Sequence, residues 1–338
     1  MRFMDCKKYK ISVAVCTYNG ARYIEEQLRS ILEQSCKVDE IVLGDDGSTD
    51  NTLECAREIL EQSGVEYRIF QNESNLGFRK NFEKTIGNTT GDIIFLCDQD
   101  DIWVKDKVEI MMRHFIDNSK CLLVFSDGEV VDTNLNMQSM SLWKSFLLDK
   151  ALAQTTDWKY IFLKGWYVTG AATAIKRELF DACCPFSDIC VHDAWLAMNA
   201  ALQKQIEMEP QKLIKYRQHG SNQIGVPASL MARIRNKIKI IRKLMDLQKT
   251  EHSRKALMYK DIYSQFHDWI VDDKEYEEEI LRCIKFHEEM ALLRRTGFIH
   301  RLFKVIKSKI NKDYKKYAKN NGMFYMDMLC AILCGMIK

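Results

Sequence analysis

A cluster of carboxylates, Asp98-Gln99-Asp100-Asp101, follows directly after the apolar run Ile93–Leu96. The run predicts a buried strand, because a short apolar segment rich in β-branched and aromatic residues fits a sheet interior. Open α/β sheets bind ligands at the carboxyl edge, where this strand would present its acidic residues. Carboxylates this close repel one another, so Mg²⁺ or Mn²⁺ carrying a diphosphate would compensate them. The alternative is an acidic turn in which Asp100 or Asp101 caps a helix that starts near Trp103.

Alternating apolar runs and helical patterns occupy the residues before this cluster. Apolar runs at Lys10–Cys16, Glu40–Gly44 and Tyr67–Phe70 predict three further strands. Apolar residues at helical spacing over 21–34, and again up to Gln62, predict helices between them. This alternation predicts an α/β fold with a mostly parallel sheet flanked by helices. Neither a Gly-x-Gly-x-x-Gly motif nor a P-loop motif occurs, which argues against dinucleotide and P-loop sites.

Four motifs in this half resemble, in their order and spacing, the family-2 glycosyltransferases of the GT-A fold. The matching segments are Val13–Asn19, Ile41–Asp50, Asn75–Gly77 and Gly91–Asp101. The resemblance covers Ile11 to about Gly225. The form of the acidic motif, together with the late segment Tyr216–Asn222, looks like bacterial rhamnosyltransferase-type enzymes of surface-polysaccharide assembly. The resemblance implies a nucleotide-diphospho-sugar transferase domain.

The strand ends would form the donor site that the resemblance implies. Thr17 and Tyr18 would line the base and ribose pocket, and Asp45 or Asp46 would hydrogen-bond the pyrimidine edge or the ribose. The alternative for these two aspartates is a polar turn with a helix cap. Lys80, at a helix start, fits either a nucleotide phosphate or a solvated helix face. The implied nucleotide-sugar site comprises Thr17, Tyr18, Asn19, Asp45, Asp46, Lys80, Asp98, Gln99, Asp100 and Arg217.

A divalent metal is the cofactor that the resemblance implies. Mg²⁺ or Mn²⁺ would bridge Asp100 and the donor diphosphate, while Asp98 would contact the ribose or metal-bound water. Asp101 is an additional acid that could substitute for Asp100. His219 is either a second group that reaches the metal or the diphosphate, or not a ligand at all. Arg217 would stabilise the departing phosphate.

The general base and the acceptor site are expected in the second half. Glycosyl transfer with inversion needs a base that takes the proton of the acceptor hydroxyl. The resemblance assigns this role to Asp193, at the start of an apolar-periodic helix; the alternative is a helix N-cap. His192 would hold Asp193, contact a phosphate or face solvent. Trp166, in a strand predicted over 165–175, is a candidate for stacking on the acceptor, or else part of the sheet core.

The 338 residues, with a net charge of +3, have room for one catalytic domain and an appendage. No apolar leader precedes the first predicted strand, so export is not expected. The 12 cysteines are scattered and include no Cys-x-x-Cys pair, which fits reduced thiols better than disulfides or a structural zinc site. The composition therefore predicts a cytoplasmic protein.

Basic amphipathic segments dominate the C-terminal part of the chain. Leu230–Met245 carries six Lys or Arg residues and no acidic residue, and its apolar residues fall three or four apart. A second basic block spans Arg294–Lys319, and the final apolar run, Met326–Ile337, is shorter than the roughly 20 residues that span a bilayer. We expect these segments to lie on an anionic membrane surface, or to pack on the catalytic domain or a second subunit. The interleaved apolar residues disfavour nucleic-acid binding.

Together these features predict a GT-A domain at residues 1–228 and a basic helical appendage at 229–338. The predicted function is inverting transfer of one sugar from UDP-hexose or dTDP-rhamnose to a hydroxyl of a lipid-linked saccharide in bacterial surface-polysaccharide synthesis. The absence of a Gln-x-x-Arg-Trp motif argues against processive polymerisation. One alternative is a nucleotidyltransferase, which would need a glycine-rich loop after the first strand. The other is a non-catalytic scaffold in the same assembly complex, which would be expected to lose its carboxylates.

Overall fold

The computed structural model describes residues 8–139, 141–219 and 237–333, and the chain divides into two compact units. The first unit comprises the described residues of Met1–Leu148 and Tyr167–Val226, and the second those of Asp149–Trp166 and Pro227–Lys338. The second unit therefore includes a segment that the sequence analysis assigns to the first domain. Residue 228 lies outside the described residues, so the domain boundary there stays a prediction.

The described residues contain the following elements, numbered in chain order. The strands are β1 (Ile11–Thr17), β2 (Glu40–Asp45), β3 (Glu66–Gln71), β4 (Ile93–Asp98), β5 (Ile102–Trp103), β6 (Leu123–Val131), β7 (Met137–Ser139), β8 (Thr173–Lys176) and β9 (Ile206–Arg217). The helices are α1 (Ile24–Leu32), α2 (Thr52–Glu61), α3 (Phe78–Gly87), α4 (Lys107–Asp117), α5 (Leu142–Ser145), α6 (Leu148–Leu152), α7 (Trp158–Phe162), α8 (Arg177–Cys183), α9 (His192–Leu202), α10 (Lys237–Gln265), α11 (His267–Val271), α12 (Lys274–Ala291), α13 (Phe298–Ile310), α14 (Asp313–Tyr317) and α15 (Gly322–Leu333).

The described strands form one sheet in the order β3-β2-β1-β4-β8-β6-β9-β5, with β7 paired to β6. Strands β3, β2, β1 and β4 are parallel, β8 is antiparallel to both of its neighbours, and β6 and β9 are parallel to each other. Every residue of β1 and β2 is buried, as expected when both faces of a parallel sheet are covered. The predicted α/β fold with a mostly parallel sheet is confirmed.

The alternative in which Asp100 or Asp101 caps a helix that starts near Trp103 is wrong. The residues after the acidic cluster form β5, which pairs antiparallel with β9, and α4 begins only at Lys107. Trp103 is 3% exposed, and its ring lies 5.6 Å from that of Phe95. Burial of this large ring in a sheet contact outweighs the local tendency of an acidic turn to start a helix.

The strand predicted over 165–175 is also largely wrong. A 3-10 turn, Gly170–Ala172, precedes β8, so the small residues form a turn and not a long ladder. A Cβ on Gly170 would lie 2.7 Å from Nε2 of His192, so these small residues permit the close approach of the α9 imidazole. Trp166 belongs to the second, helical unit and not to the sheet.

The second unit consists of helices in its described residues. Of the predicted basic segment Leu230–Met245, residues 230–236 lie outside the described residues, and 237–245 form the first turns of α10. Among the described residues, no helix has both the length and the apolar character needed to cross a bilayer. The cysteines that the structure describes are free thiols, as the sequence analysis predicts.

Glu40, at the start of β2, ties three strands together and is fully buried. Its carboxylate accepts hydrogen bonds from the Ser12 hydroxyl at 2.5 Å, the Thr90 backbone N–H at 2.8 Å and the Arg68 guanidinium at 2.6 Å. Burial acts to raise the pKa of Glu40, but these hydrogen bonds outweigh it and leave the pKa below its ordinary value. The ionised form of Glu40 therefore stabilises the folded state.

We expect Glu40→Gln to lower the free energy of unfolding by about 2 kcal/mol at pH 7, because a charged acceptor of several hydrogen bonds is lost. A carboxyl whose pKa is lowered by folding contributes stability above its unfolded pKa, and this contribution is lost as pH falls through the folded pKa. The difference between wild type and variant should therefore shrink below about pH 4. Urea unfolding at pH 7 and pH 3.5 measures it, because pH 7 lies well above the ordinary glutamate pKa of about 4.3 and pH 3.5 lies below it. Glu66→Gln, on an exposed side chain, is the control; an equal loss at both pH values would contradict the account.

Candidate active site

The carboxyl ends of three neighbouring parallel strands carry the polar residues singled out in the sequence. Thr17 of β1 pairs in register with Asp45 of β2, and Cys16 pairs with Asp98 of β4. The loops that follow these strands therefore meet at one edge of the sheet. This edge is where open α/β sheets bind their ligands.

Asp45 and Asp46 are buried, and both carboxylates are hydrogen-bonded within the protein. The donors are Thr17, Ser48 and Gln71 for Asp45, and Asn72, Leu76 and Gly77 for Asp46. These contacts join the loop after β2 to β1, to β3 and to the start of α3. The contacts form a polar turn, but the helix cap of the turn alternative is absent because no side chain caps α2. Direct bonding of either carboxylate to a nucleotide stays a prediction.

The loop after β1 is joined to the acidic loop after β4 by Gln99. Its side-chain amide accepts a hydrogen bond from the Tyr18 N–H at 2.8 Å and donates one to the Tyr18 carbonyl at 3.1 Å. Asn19 has a left-handed backbone (φ 49°), and its side chain accepts a hydrogen bond from the Thr49 N–H. The Tyr18 side chain is left 45% exposed at this edge. Both loops are thus fixed around an exposed aromatic ring.

Three carboxylates are crowded immediately after β4. Burial, followed by the charges of Asp100 and Asp193, raises the pKa of Asp98 to about 7. Burial also raises the pKa of Asp100, although His219 opposes this, and it raises that of Asp101 well above the ordinary value. Oδ2 of Asp101 is buried and has no hydrogen-bond partner in the described residues. The site is therefore short of positive charge and favours the binding of a cation.

Lys107, the first residue of α4, is a fully buried cation behind this cluster. Its ammonium donates to the Ala171 carbonyl at 2.6 Å and lies 4.0 Å from the centre of the Trp103 ring. Burial lowers the pKa of Lys107 to about 7, while Asp101 and Asp98 act against this shift. Compensation by one lysine is therefore incomplete.

Sequence reasoning missed Lys107 as a member of the site. The signal was present, because Lys107, Met111 and Phe115 are spaced four apart and so share the apolar face of one helix. A lysine on an apolar helix face directly after an acidic cluster indicates a buried counter-charge. No comparable pattern marks Glu26, which binds Arg217 from a helix 191 residues away in the sequence.

Arg217, at the end of β9, is 3% exposed and supports the backbone of the acidic loop through hydrogen bonds. Its guanidinium donates to the carbonyls of Asp100 and Thr133 at 2.8 and 2.9 Å and to the carboxylate of Glu26, and it lies 4.9 Å from the centre of the Tyr23 ring. All three guanidinium nitrogens are thus engaged inside the protein. These contacts give Arg217 a structural function, and its predicted contact with the departing phosphate stays a prediction.

His219 lies beside the acidic loop, and its contact with a metal or diphosphate stays a prediction. Its Nε2 is 2.7 Å from Oδ2 of Asp100, and its ring stacks on Tyr23 with centroids 4.9 Å apart. Among the described residues, no group of three or more His, Cys, Asp or Glu side chains could hold a metal alone. Asp100 offers the carboxylate oxygen that Mg²⁺ or Mn²⁺ takes, with diphosphate oxygens and water as the other ligands, and ligation by the His219 imidazole stays a prediction.

Asp193 lies in the first turn of α9, and no side-chain hydrogen bond caps this helix. Its Oδ2 accepts a hydrogen bond from the Gly170 N–H at 3.1 Å, and its charge is among those that raise the pKa of Asp98. His192 is packed 4.0 Å from the Phe82 ring, and neither of its ring nitrogens has a hydrogen-bond partner in the described residues. Burial lowers the pKa of His192. His192 is therefore a neutral packing group behind Asp193.

Lys80 and Trp166 lie in other settings. The Lys80 ammonium is 2.9 Å from a carboxylate oxygen of Glu83 and 3.4 Å from one of Asp188, so protein carboxylates already neutralise it. Trp166, in the helical unit, packs against Phe162, with ring centroids 5.6 Å apart. The sheet-core alternative for Trp166 is wrong, and its role toward an acceptor stays a prediction.

Comparison with known proteins identifies the family. The profile of Glycosyl transferase family 2 matches residues 12–183, just over half of the chain. The chain belongs to glycosyl transferase family 2. The match includes the strand-end loops and the acidic loop described above. The predicted family is confirmed, and the protein is a glycosyltransferase that uses a nucleotide-sugar donor.

Relatives of this family-2 glycosyltransferase agree with the assignment. The dTDP-rhamnosyl transferase RfbG of Shigella flexneri is 34% identical over 234 residues, which cover 65% of this chain and 76% of that protein. The mannosyltransferase PcManGT of Pyrobaculum calidifontis, solved with GDP-Man and Mn²⁺, has 17% identity and a TM-score of 0.53, and the match covers 96% of this chain and 87% of that one. S. aureus TarS 1–349 with UDP-GlcNAc has 18% identity and a TM-score of 0.50, over 72% of this chain and 66% of that one. These two structures support the GT-A fold.

The contact between Gln99 and Tyr18 can be tested through Gly20, which lies in the loop after β1. A Cβ on Gly20 would lie 2.2 Å from Oε1 of Gln99, so Gly20→Ala should displace the Gln99 amide from Tyr18. We expect affinity for a nucleoside diphosphate to fall about tenfold, a loss on the scale of one to two hydrogen bonds. Isothermal titration measures the affinity, and Gly297→Ala, whose Cβ would meet nothing within 4 Å, is the control.

A double-mutant cycle separates this mechanism from general damage to the loop. In a Gln99→Ala background, Gly20→Ala should cost little further affinity, because the clashing side chain has been removed. Equal costs of Gly20→Ala in both backgrounds would show that Gln99 does not couple the two loops.

Proposed function

We propose that this glycosyltransferase is metal-dependent and inverting, and that it moves one sugar from a nucleoside-diphosphate donor to a hydroxyl of a lipid-linked saccharide in bacterial surface-polysaccharide synthesis. One observation carries the proposal: Asp193 lies almost 100 residues after Asp98 and Asp100 in the sequence, yet its charge and that of Asp100 both act on Asp98 at one sheet edge. Two carboxylates there suit a metal-bound diphosphate, and the third suits a general base. The relative that transfers from dTDP-rhamnose favours this donor over UDP-hexose.

The donor nucleotide would lie over the fixed loops after β1, β2 and β4. The exposed ring of Tyr18 offers a face for the base, and Thr17, Asn19 and Gln99 hold the backbone of this loop in place through the contacts described above. Because the loops are already tied together, little ordering would be needed when the donor binds. Such preorganisation increases affinity by reducing the entropy lost on binding.

Asp100 and His219 would hold Mg²⁺ or Mn²⁺ in this site. When bound, the metal supplies charge stabilisation to the diphosphate leaving group. Arg217 keeps the Asp100 backbone in position, and Lys107 limits the repulsion behind the acidic loop. These residues of the chain thus prepare an acidic pocket whose negative charge a divalent cation would offset.

Asp193 would act as the base in a single displacement. Its carboxylate would take the proton of the acceptor hydroxyl as that oxygen bonds to the anomeric carbon and the bond from this carbon to the diphosphate oxygen breaks. The Gly170 N–H would fix the position of Oδ2, and the neutral His192 would fill the space behind. One displacement without a covalent intermediate inverts the anomeric configuration.

Helix α13 supports the further proposal that the protein lies on the cytoplasmic face of an anionic membrane. Four apolar side chains, exposed by 46–80%, recur at a spacing of three or four and form one stripe: Ile299, Phe303, Ile306 and Ile310. At 100° per residue, Lys307 and Lys309 lie on either side of this stripe, while Arg301, Val305 and Ser308 are buried on the opposite face. An apolar stripe flanked by lysines complements anionic lipid.

The catalytic assignments are tested with two single variants. We expect Asp193→Asn to lower the rate of sugar transfer about 10²–10⁴-fold, the usual contribution of a general base, and to leave donor affinity nearly unchanged. Asp100→Ala should abolish the rise in melting temperature that dTDP- or UDP-sugars cause in the presence of Mn²⁺. Nucleoside diphosphate release and thermal shift are the measurements. Asp188→Asn, whose side chain is 85% exposed, is the control.

Wild-type rates in both variants would contradict this mechanism. Failure of the wild-type protein to bind or hydrolyse any nucleotide sugar would favour the alternative of a non-catalytic scaffold with the same fold.

The membrane proposal is tested on the α13 stripe. We expect Phe303→Asp to weaken binding to phosphatidylglycerol vesicles about tenfold or more, because a buried aromatic side chain contributes roughly 2 kcal/mol. Vesicle co-sedimentation measures this, and Leu257→Asp, at a residue that is 53% exposed in α10, is the control. Unchanged vesicle binding, together with a dimer that Phe303→Asp dissociates, would assign the stripe to a second copy of the chain.

A further inference from the structure

Lysine ammonium groups gather at a bend of the helical unit that the donor site does not use. Nζ of Lys255, in α10, lies 3.4 Å from the carbonyl oxygen of Lys164, and Nζ of Lys319 lies 3.4 Å from that of Trp166. The side chain of Lys319 packs along Gly165, where an added Cβ would lie 3.3 Å from Cδ of the lysine. We call these five residues the lysine bend. The two carbonyls are two residues apart, so the ammonium groups share a small volume.

Two lysines of the bend are buried and have little carboxylate charge beside them. Lys164 and Lys255 are 7% and 5% exposed. Lys164 donates to the neutral amide of Gln154, and the carboxylate that Lys255 approaches is that of Glu251, at 3.9 Å. Burying a cation is costly unless an anion accompanies it. The arrangement therefore favours an added negative charge.

Neighbouring positive charges act on Lys319 and Lys164 of the bend. Burial, followed by the charge of Lys255, lowers the pKa of Lys319 to about 8, although Glu251 opposes this. Burial and the charge of Lys315 lower the pKa of Lys164. Burial lowers the pKa of Lys255, and the nearby Glu251 acts in the opposite direction. Like charges thus repel one another at short range here, and a bound anion would relieve this repulsion.

An unused hydrogen-bond donor lies at the same bend. Nε1 of Trp166 is buried and has no hydrogen-bond partner in the described residues. The Trp166 ring is held between Phe162 and Tyr259, with centroid distances of 5.6 and 6.2 Å. The Tyr259 hydroxyl in turn donates to the carbonyls of Phe162 and Leu163 at 2.9 and 3.0 Å, which fixes the segment before the bend. A rigid N–H donor therefore accompanies the ammonium groups.

We propose that the lysine bend binds a phosphate or diphosphate group. Two ammonium groups and one indole N–H suit the multiple oxygens and the charge of this anion, and lysine is a common phosphate ligand. A free diphosphate and the diphosphate of a membrane lipid present the same chemistry. The proposal does not depend on the transfer reaction proposed above, because it rests on residues of the helical unit alone.

The test uses the full-length chain in buffer with EDTA, so that metal-dependent binding at the acidic loop is suppressed. Sodium pyrophosphate is titrated at constant ionic strength, and affinity is read by isothermal titration and thermal shift. We expect the wild type to bind, Lys319→Met to bind at least tenfold more weakly, and Trp166→Phe about fivefold more weakly because one neutral hydrogen bond is lost. Trp166→Phe keeps an aromatic ring, so it tests the site even if Lys319→Met does not fold.

Matched controls lie on exposed positions of the same unit. Lys285→Met and Trp269→Phe should each bind within about twofold of the wild type. The proposal is overturned if the wild type binds neither pyrophosphate in solution nor the diphosphate vesicles described next. It is also overturned if Trp166→Phe and Lys319→Met bind as tightly as the controls.

A second arm distinguishes the two sources of the anion. Phosphatidylcholine vesicles are prepared with and without a few per cent of a prenyl diphosphate, so that the neutral lipid gives no electrostatic attraction of its own. Binding that requires the diphosphate lipid and is lost in Trp166→Phe assigns the site to a lipid diphosphate. Binding of pyrophosphate in solution without such vesicle binding assigns it to a free diphosphate.

Discussion

Repulsion among carboxylates at the carboxyl edge of the sheet is the constraint on which the catalytic unit depends. Asp98, Asp100 and Asp101 follow one strand end, where burial removes the water that would otherwise stabilise their charges. Lys107 compensates part of this charge from behind, and Asp193 adds to it from another element. The sheet, whose fully buried strands fix the backbone beneath, holds these groups together against their repulsion. A site of this kind gains stability when a cation enters.

The loops around this edge are fixed by side chains that satisfy backbone groups. Gln99 bonds both backbone groups of Tyr18, and Asp46 accepts hydrogen bonds from the backbone N–H groups of Leu76 and Gly77. Each such contact gives a polar backbone group a hydrogen-bond partner within the protein in place of water, and so favours one conformation of the loop. Several residues that the sequence suggests as ligands thus fix the loops. The side chains left exposed, or with charge that is not fully compensated, at the carboxyl edge of the sheet are the ones available to a donor.

In the helical unit, some charged side chains are buried and some apolar side chains are exposed, which is the reverse of the usual pattern. In α13, the buried Arg301 donates to the carbonyls of Ala331 and Thr296, while Ile299 and Phe303 face outward. In the lysine bend, the ammonium groups of the buried Lys255 and the half-buried Lys319 lie beside backbone carbonyls. Both arrangements are costly in an isolated protein in water, since one exposes apolar area and the other buries charge. A lipid surface carrying phosphate groups would offset both costs, which gives the two features of this unit a common chemistry.

The sequence by itself determined the fold class, the family and the position of the acidic motif, because hydrophobic periodicity and short motifs are local properties that strand and helix geometry read directly. It predicted that Asp98, Asp100 and Asp193 belong together only through resemblance. The tertiary structure decided what the chain alone leaves open: β5 replaces the expected helix start, Trp166 lies in the helical unit, and Lys107 is buried under the acidic loop. These outcomes depend on contacts between residues far apart in the sequence, and on burial, which sets the charge balance of the site and has no local signature.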